Sequence, residues 1–204
     1  MITIFFHSLF LNASIFVSSI LTSTLFCNFF KCPFINPSNN KQYINNVIKS
    51  FVPIFTQSVF VTCCFYKYID TTSHSLFYSG TIICIYALLV ELLYYGYHNL
   101  IHHKLLYKLI HSKHHESIIV YPFDSFNLGI FDAGCFIIIL NLPVLILNMN
   151  FIEYFFCYYL YITFTTLSHS TILHNTHAIH HKLFNYNFCL ILPVFDMLFS
   201  TYKH

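Results

Sequence analysis

Apolar and polar positions in this chain fall into long blocks rather than alternating residue by residue. Residues 1–30 (MITIFFHSLFLNASIFVSSILTSTLFCNFF) are almost uninterruptedly apolar, and a polar linker, 32–50, follows with Pro33, Pro37 and five Asn. Further apolar runs cover 51–66, 76–97 and 130–168, the last broken at Asn148–Asn150. About 20 apolar residues carry a helix across a bilayer. The blocks therefore predict an all-α, polytopic integral membrane protein with four or five membrane segments. Two helices of about 18 residues meeting at the Asn pair would make a membrane hairpin, and Pro143 would kink the first of them. The run 51–66 is the shortest, and a re-entrant hairpin with its successor is an alternative for it.

Composition supports the membrane class. The chain is 57% hydrophobic and 8% charged, with nine Lys, no Arg, four Asp and three Glu; a soluble domain has about a quarter of its residues charged. The net charge of +2 is spread over several loops, so no nucleic-acid partner is expected. The eight Cys lie in or beside apolar runs and form no CxxC pair, which reads as buried, reduced thiols. The N-terminus lacks the positive region of a secretory signal and is expected to remain as the first membrane segment. The sequon Asn12-Ala-Ser14 lies inside that segment, so no glycan is expected there. Counting crossings places eight of the nine Lys on one face, with Lys67 alone opposite. The positive-inside rule makes the Lys-rich face, and the C-terminus with it, cytosolic.

On that face the histidines gather. Eleven of fourteen fall in 98–115 and 169–181. His98 and His102 are spaced i, i+4 and share a helical face. His111, His114 and His115 form HxxHH, and His177, His180 and His181 repeat it, with His169 and His174 available nearby. Neutral imidazole suits Zn, Cu, Fe and Ni. A carboxylate di-iron bundle needs several Glu and Glu-x-x-His motifs, which are absent, as is HExxH. An all-histidine polynuclear metal site in a cap on the membrane remains. His7, His74 and His204 stand alone, and His103 is a residue off the face of its neighbours. Glu91 lies seven residues before His98. It reads either as the acceptor that fixes a ligating imidazole's tautomer or as a helix-end charge reaching the interface. Asp196 carries the same two readings.

These motifs, HNLIH (98–102), HSKHH (111–115) and HAIHH (177–181), with His169-Ser170 and the ending FDMLFST (195–201), resemble the fatty acid hydroxylase/sterol desaturase superfamily. The stretches FNLGIFD (126–132) and FNYNF (184–188) are most similar to its cholesterol 25-hydroxylase group. The resemblance covers about residue 80 to the end and divides the chain into N-terminal membrane segments and linker (1–75) and a hydroxylase-like domain (76–204). It implies an endoplasmic-reticulum enzyme of lipid or sterol metabolism. Two iron ions would be held by His98, His102, His111, His114, His115, His169, His174, His177, His180 and His181, with Glu91 and Asp196 behind them. The substrates implied are O2 and a sterol or fatty-acyl lipid. Electrons are expected from cytochrome b5 or an NADPH-dependent reductase, since no such domain lies within these residues. Four departures stand out: only seven residues separate His169 from His177, Ser170-Thr171 replaces Ser-Gly, Phe195 replaces Trp, and Ser200 replaces Gly.

Four functions remain in competition. Hydroxylation of a lipid C–H bond is the first. Desaturation at the same site is the second. A non-catalytic membrane metal binder or transporter is the third, and it would call for polar residues lining a route through the spans. A catalytically inactive membrane scaffold, suggested by the short loop after His169, is the fourth.

Overall fold

The structure is a computed structural model, described here for residues 1–38, 41–170, 172 and 176–204. Three helices are long and apolar enough to cross a membrane: α1 (Ile2–Phe29), α2 (Lys41–Phe65, continued by a 3-10 turn to Tyr68) and α3 (Leu76–Ile101). A single turn, α4 (Lys104–Leu106), leads into the histidine-rich segment. The fourth and fifth expected segments are shorter. They are α5 (Ile130–Asn141), extended by a 3-10 turn through Pro143, and α6 (Phe151–Ser168). Short helices α7 (Thr176–Leu183) and α8 (Val194–Leu198) complete the chain. No strand occurs among the described residues.

Helix α2 starts ten residues before the apolar run that predicts it. Its first turns are amphipathic: Val47 and Ser50 turn inward, and Lys113 Nζ donates to Ser50 Oγ at 2.6 Å. A full-length α2 replaces the re-entrant alternative. The break between α5 and α6 falls where expected. Asn150 Oδ1 accepts the N–H groups of Ile152 and Glu153, and the Glu153 carboxylate accepts the Asn150 N–H. This reciprocal capping box starts α6 abruptly.

Chain direction alternates through α1, α2, α3, α5 and α6, so the polar ends sort into two sets. At one end Asp70 N–H donates to the Met149 carbonyl at 2.7 Å, and His74 Nδ1 donates to Glu153 at 2.9 Å. At the other end lie the linker, residues 98–128 and the C-terminal segment, where Tyr43 bonds Asp124 and Phe123 N–H donates to the Phe34 carbonyl. The histidine clusters sit at this second end.

Between the ends, a polar thread runs through the apolar core. Asn12 Nδ2 donates to the Ser8 carbonyl and to Thr62 Oγ1, and Ser58 joins Asn12 to Tyr158. Tyr154 bonds Thr62 and donates to Asn141. Unpaired, each of these groups would be costly in an apolar medium; paired, they fix α1, α2, α5 and α6 in one register. The sequon Asn12 is fully buried in this thread, inside α1.

Helix α8 ends in a Schellman motif. Thr201 N–H donates to the Asp196 carbonyl at 2.8 Å, and Ser200 between them has φ 58°. A left-handed backbone costs a residue with a Cβ on the order of 1 kcal/mol relative to glycine. The Gly-to-Ser departure noted above therefore falls where glycine is favoured. Ser200→Gly is expected to stabilise the protein by about 1 kcal/mol, read as a rise in the thermal midpoint of detergent-purified protein. An unchanged or lowered midpoint would show that the backbone there carries no strain.

Candidate metal centre

The first two histidines come from the end of α3. His98 lies in its last turn and His102 is its C-cap. Beyond α4 the chain forms a π-helical turn, Tyr107–His111, in which Ser112 N–H reaches back to the Tyr107 carbonyl at 2.8 Å. Such turns commonly occur at functional sites, and this one delivers His111. A 3-10 turn carries His114 and His115, α6 ends at its C-cap His169, and α7 presents His177, His180 and His181.

These rings converge as two groups. His98, His102, His111, His115 and His180 form one; His114, His169, His177 and His181 form the other. Within each group the nearest ring nitrogens all lie within 4.8 Å of one another, as a metal ion would require. Nine of the ten nominated histidines are thus brought together. His174 lies outside the described residues, and His103 is exposed. The HxxHH motifs divide in a way that spacing alone did not show. The i, i+4 pairs His111/His115 and His177/His181 stay together, while His114 and His180 cross to the other group.

Five rings are anchored from behind. His98 Nδ1 donates to the Phe188 carbonyl at 2.8 Å, His180 Nδ1 to Tyr186 at 2.7 Å and His181 Nδ1 to Ser117 at 3.0 Å. His169 Nδ1 donates to Thr165 at 2.9 Å, and His111 Nδ1 to the Asp132 carboxylate at 2.6 Å. A neutral imidazole carries one proton. With it placed on Nδ1, each Nε2 turns a bare lone pair inward. Yet the Nε2 atoms of His98 and His111 stand 3.0 Å apart. Two acceptors at that distance repel unless a cation or proton lies between them.

Burial opposes the proton. His102 is pushed down to about 3, His169 to about 4 and His181 to about 2, by desolvation first and neighbouring imidazoles second. His114, His115, His177 and His180 are held well below the ordinary range by the same causes. His102 Nε2 and the Nδ1 atoms of His114, His115 and His177 are buried with no hydrogen-bond partner among the described residues. Unprotonated, convergent and partly unpaired nitrogens fit metal ions, with five donors in one group and four in the other.

The carboxylates behind the rings are arranged differently from the sequence reading. Glu91 touches no imidazole. Its oxygens accept the backbone N–H groups of Leu190, Ile191 and Leu192 at 2.9–3.1 Å. Asp196 accepts Phe188 and Cys189 N–H, both at 2.7 Å, and the Thr201 hydroxyl at 2.8 Å. Both clamp the 188–192 loop, whose Phe188 carbonyl orients His98, so they act one bond further out than a tautomer-fixing acceptor. That direct role belongs to Asp132, which sequence reasoning missed. It binds His111 and accepts from the Tyr97 hydroxyl at 2.8 Å. The available signal was its place at the head of an otherwise apolar run.

Comparison with known proteins agrees with this geometry. The profile of the family described as "Fatty acid hydroxylase" matches residues 83–201, more than half the chain. Very-long-chain aldehyde decarbonylase GL1-6 of Oryza sativa subsp. indica is 27% identical over 135 residues, covering 55% of this chain and 21% of that protein. Protein CER1-like 1 of Arabidopsis thaliana is 26% identical over 135 residues, 55% of this chain and 22% of its own. Protein CER1-like 2 of the same plant is 26% identical over 161 residues, 66% of this chain and 26% of its own. The matched region thus spans only about a quarter or less of these relatives' length. No solved structure matches the chain. The profile match covers the segment that carries the histidine groups and the last of the three membrane-length helices: the chain belongs to the fatty acid hydroxylase family.

Proposed function

We propose that the protein is a membrane-bound, non-haem di-iron oxygenase that oxidises a C–H bond of a lipid with O2 and externally supplied electrons. The two buried histidine groups carry this reading, because their ring nitrogens converge within metal-binding distance and five of the nine rings are oriented by acceptors outside. His98, His102, His111, His115 and His180 would hold one iron, and His114, His169, His177 and His181 the other. His174 joins the set on the family resemblance alone. Bound iron would supply O2 activation and removal of hydrogen from carbon.

The chain's own part is to orient the rings and keep water away. Asp132 holds His111 in one tautomer. The loop clamped by Glu91 and Asp196 does the same for His98 through a backbone carbonyl. Phe184 stacks on His115 with ring centroids 4.9 Å apart, and Phe188 stands edge-on to His98 and His102. This aromatic wall faces the site with no group that could hold water.

Hydroxylation of a sterol or a long-chain aliphatic lipid is the reaction proposed, with desaturation as its close alternative. The relatives named as very-long-chain aldehyde decarbonylases favour a second reading, in which the substrate is a long-chain aldehyde. A non-catalytic metal conduit fits less well, because buried polar residues of the spans pair with one another in the Asn12–Ser58–Tyr158 thread. We further place residues 76–204 as the catalytic domain with 1–75 as its membrane support. The Lys-rich end would face the cytosol from the endoplasmic reticulum and receive electrons from cytochrome b5 or an NADPH-dependent reductase.

Metal analysis of detergent-purified protein tests the reading directly. Iron close to two per chain is expected, and each of His114→Ala and His180→Ala should lose most of it while the helical signal persists. Zinc, or no stoichiometric metal, in freshly prepared membrane protein would overturn it. Asp132→Asn keeps the shape but removes the carboxylate charge behind His111. It should weaken iron binding roughly 10–100-fold, measured by competition with a chelator; unchanged affinity would show that Asp132 does not tune the site.

A further inference from the structure

The outward face of α3 marks how deep the histidine end of the molecule sits. Its exposed side chains include Leu76, Phe77, Ile85, Leu88, Leu92 and Leu100, and no exposed charge lies among them. At 1.5 Å per residue this stripe is about 36 Å long. A hydrocarbon core is about 30 Å thick, and an ordinary helix tilt of about 20° brings the two lengths close together. Leu100 therefore stands at one lipid–water boundary, and the chain that follows it emerges at headgroup level.

The C-terminal segment marks the same boundary independently. Helix α8 packs beside α3 through Phe199, stacked on Tyr95 with ring centroids 5.2 Å apart. Its exposed side chains Val194, Met197 and Leu198 are apolar, and its one charge, Asp196, is turned inward and buried. An uncharged outer face of this kind, beside a membrane-length helix, belongs against acyl chains.

Residues 104–109 present a different outer face. His103 turns the chain with φ −62° and ψ 138°. Tyr107 then faces inward, its ring centroid 5.5 Å from that of His102 and 5.8 Å from that of His115. Two pairs at i, i+4 spacing occupy the outside. Leu105 and Leu109 are 74% and 78% exposed, and Lys104 and Lys108 are exposed beside them. Neither ammonium group meets a carboxylate among the described residues. The one carboxylate between 98 and 121, Glu116, accepts from Asn127. Lys113, by contrast, is tied to Ser50 and to the Leu128 carbonyl.

Leucines reaching into lipid beside lysines at headgroup level are the pattern of a chain lying in the interface. Two ammonium groups without counter-charges at that depth favour acidic headgroups over zwitterionic ones.

We infer that the outer face of residues 104–109 binds acidic phospholipid of the protein's own membrane, with Leu105 and Leu109 among the acyl chains and Lys104 and Lys108 on the headgroup phosphates and carboxylates. The turn that lipid holds from outside is the one that carries His111 within. This contact stands whatever metal the histidine groups take.

Full-length protein carrying p-benzoylphenylalanine in place of Leu109, in nanodiscs of equal parts phosphatidylserine and phosphatidylcholine, tests it. Irradiation should give mainly lipid adducts, with phosphatidylserine favoured at least fivefold by mass spectrometry, about the effect of one lysine at an acidic surface. The same probe in place of Phe77, at the far end of α3, should label the two lipids about equally. Lys104→Gln combined with Lys108→Gln should bring the ratio at 109 down to that control while the thermal midpoint stays unchanged, and high salt should lower it in the same direction. Equal labelling of the two lipids at 109, or a ratio indifferent to the double substitution, would overturn the inference. Crosslinking of 109 to a second copy, or to another protein in native membranes, would likewise overturn it and assign this face to a protein partner.

Discussion

Five of the nine imidazoles that face the centre are committed by the atom behind them. A neutral ring has one proton to place, and a carbonyl or carboxylate at Nδ1 takes it, leaving Nε2 bare and directed inward. Much of the cap serves to hold those outer acceptors still. The carbonyls of Tyr186 and Phe188 lie on a loop bent through left-handed residues at Phe184 and Asn187. Glu91 and Asp196 seize that loop by its N–H groups, and Asn187 ties it to Thr176 and Lys203. Two carboxylates far apart in sequence therefore act on the metal site through backbone rather than through side chains.

This indirectness explains what could and could not be read from the sequence. The histidines were legible because i, i+4 spacing puts rings on one helical face whatever the surrounding fold. Their division into five and four was not, since it depends on how α6 and α7 approach the segment 111–115. Glu91 and Asp196 were legible as important positions, yet their partners are main-chain donors, which leave no trace in residue identity. Asp132 was given no role from the sequence, where it stands near the start of an apolar run; only the folding of the chain brings it to His111, 21 residues away. Apolar blocks located the long helices well. They misplaced the start of α2, because residues 41–50 are polar on one face and use the other, through Val47 and Ser50, to pack on the cap.

The membrane-embedded part obeys a complementary logic. Apolar side chains alone would let helices slide and rotate against lipid-like neighbours. The thread of Asn12, Ser58, Thr62, Tyr154 and Tyr158 removes that freedom, since any slip would leave buried polar atoms unpaired. Tyr86, donating to the Leu140 carbonyl at 2.7 Å, pins α3 to α5 in the same way. The helices so tied include α3 and α6, whose ends carry His98 and His169.

The crossing of neighbouring histidines between groups has a thermodynamic consequence. His114 and His115 are adjacent in sequence but face different centres, and so do His180 and His181. Ordering either pair around one ion fixes the backbone that carries a donor of the other. If the groups take up metal as proposed, the first ion would meet much of the entropic cost of organising the second centre. Loading would then be cooperative, the half-filled protein a minor species, and the two centres would respond to metal supply as one unit.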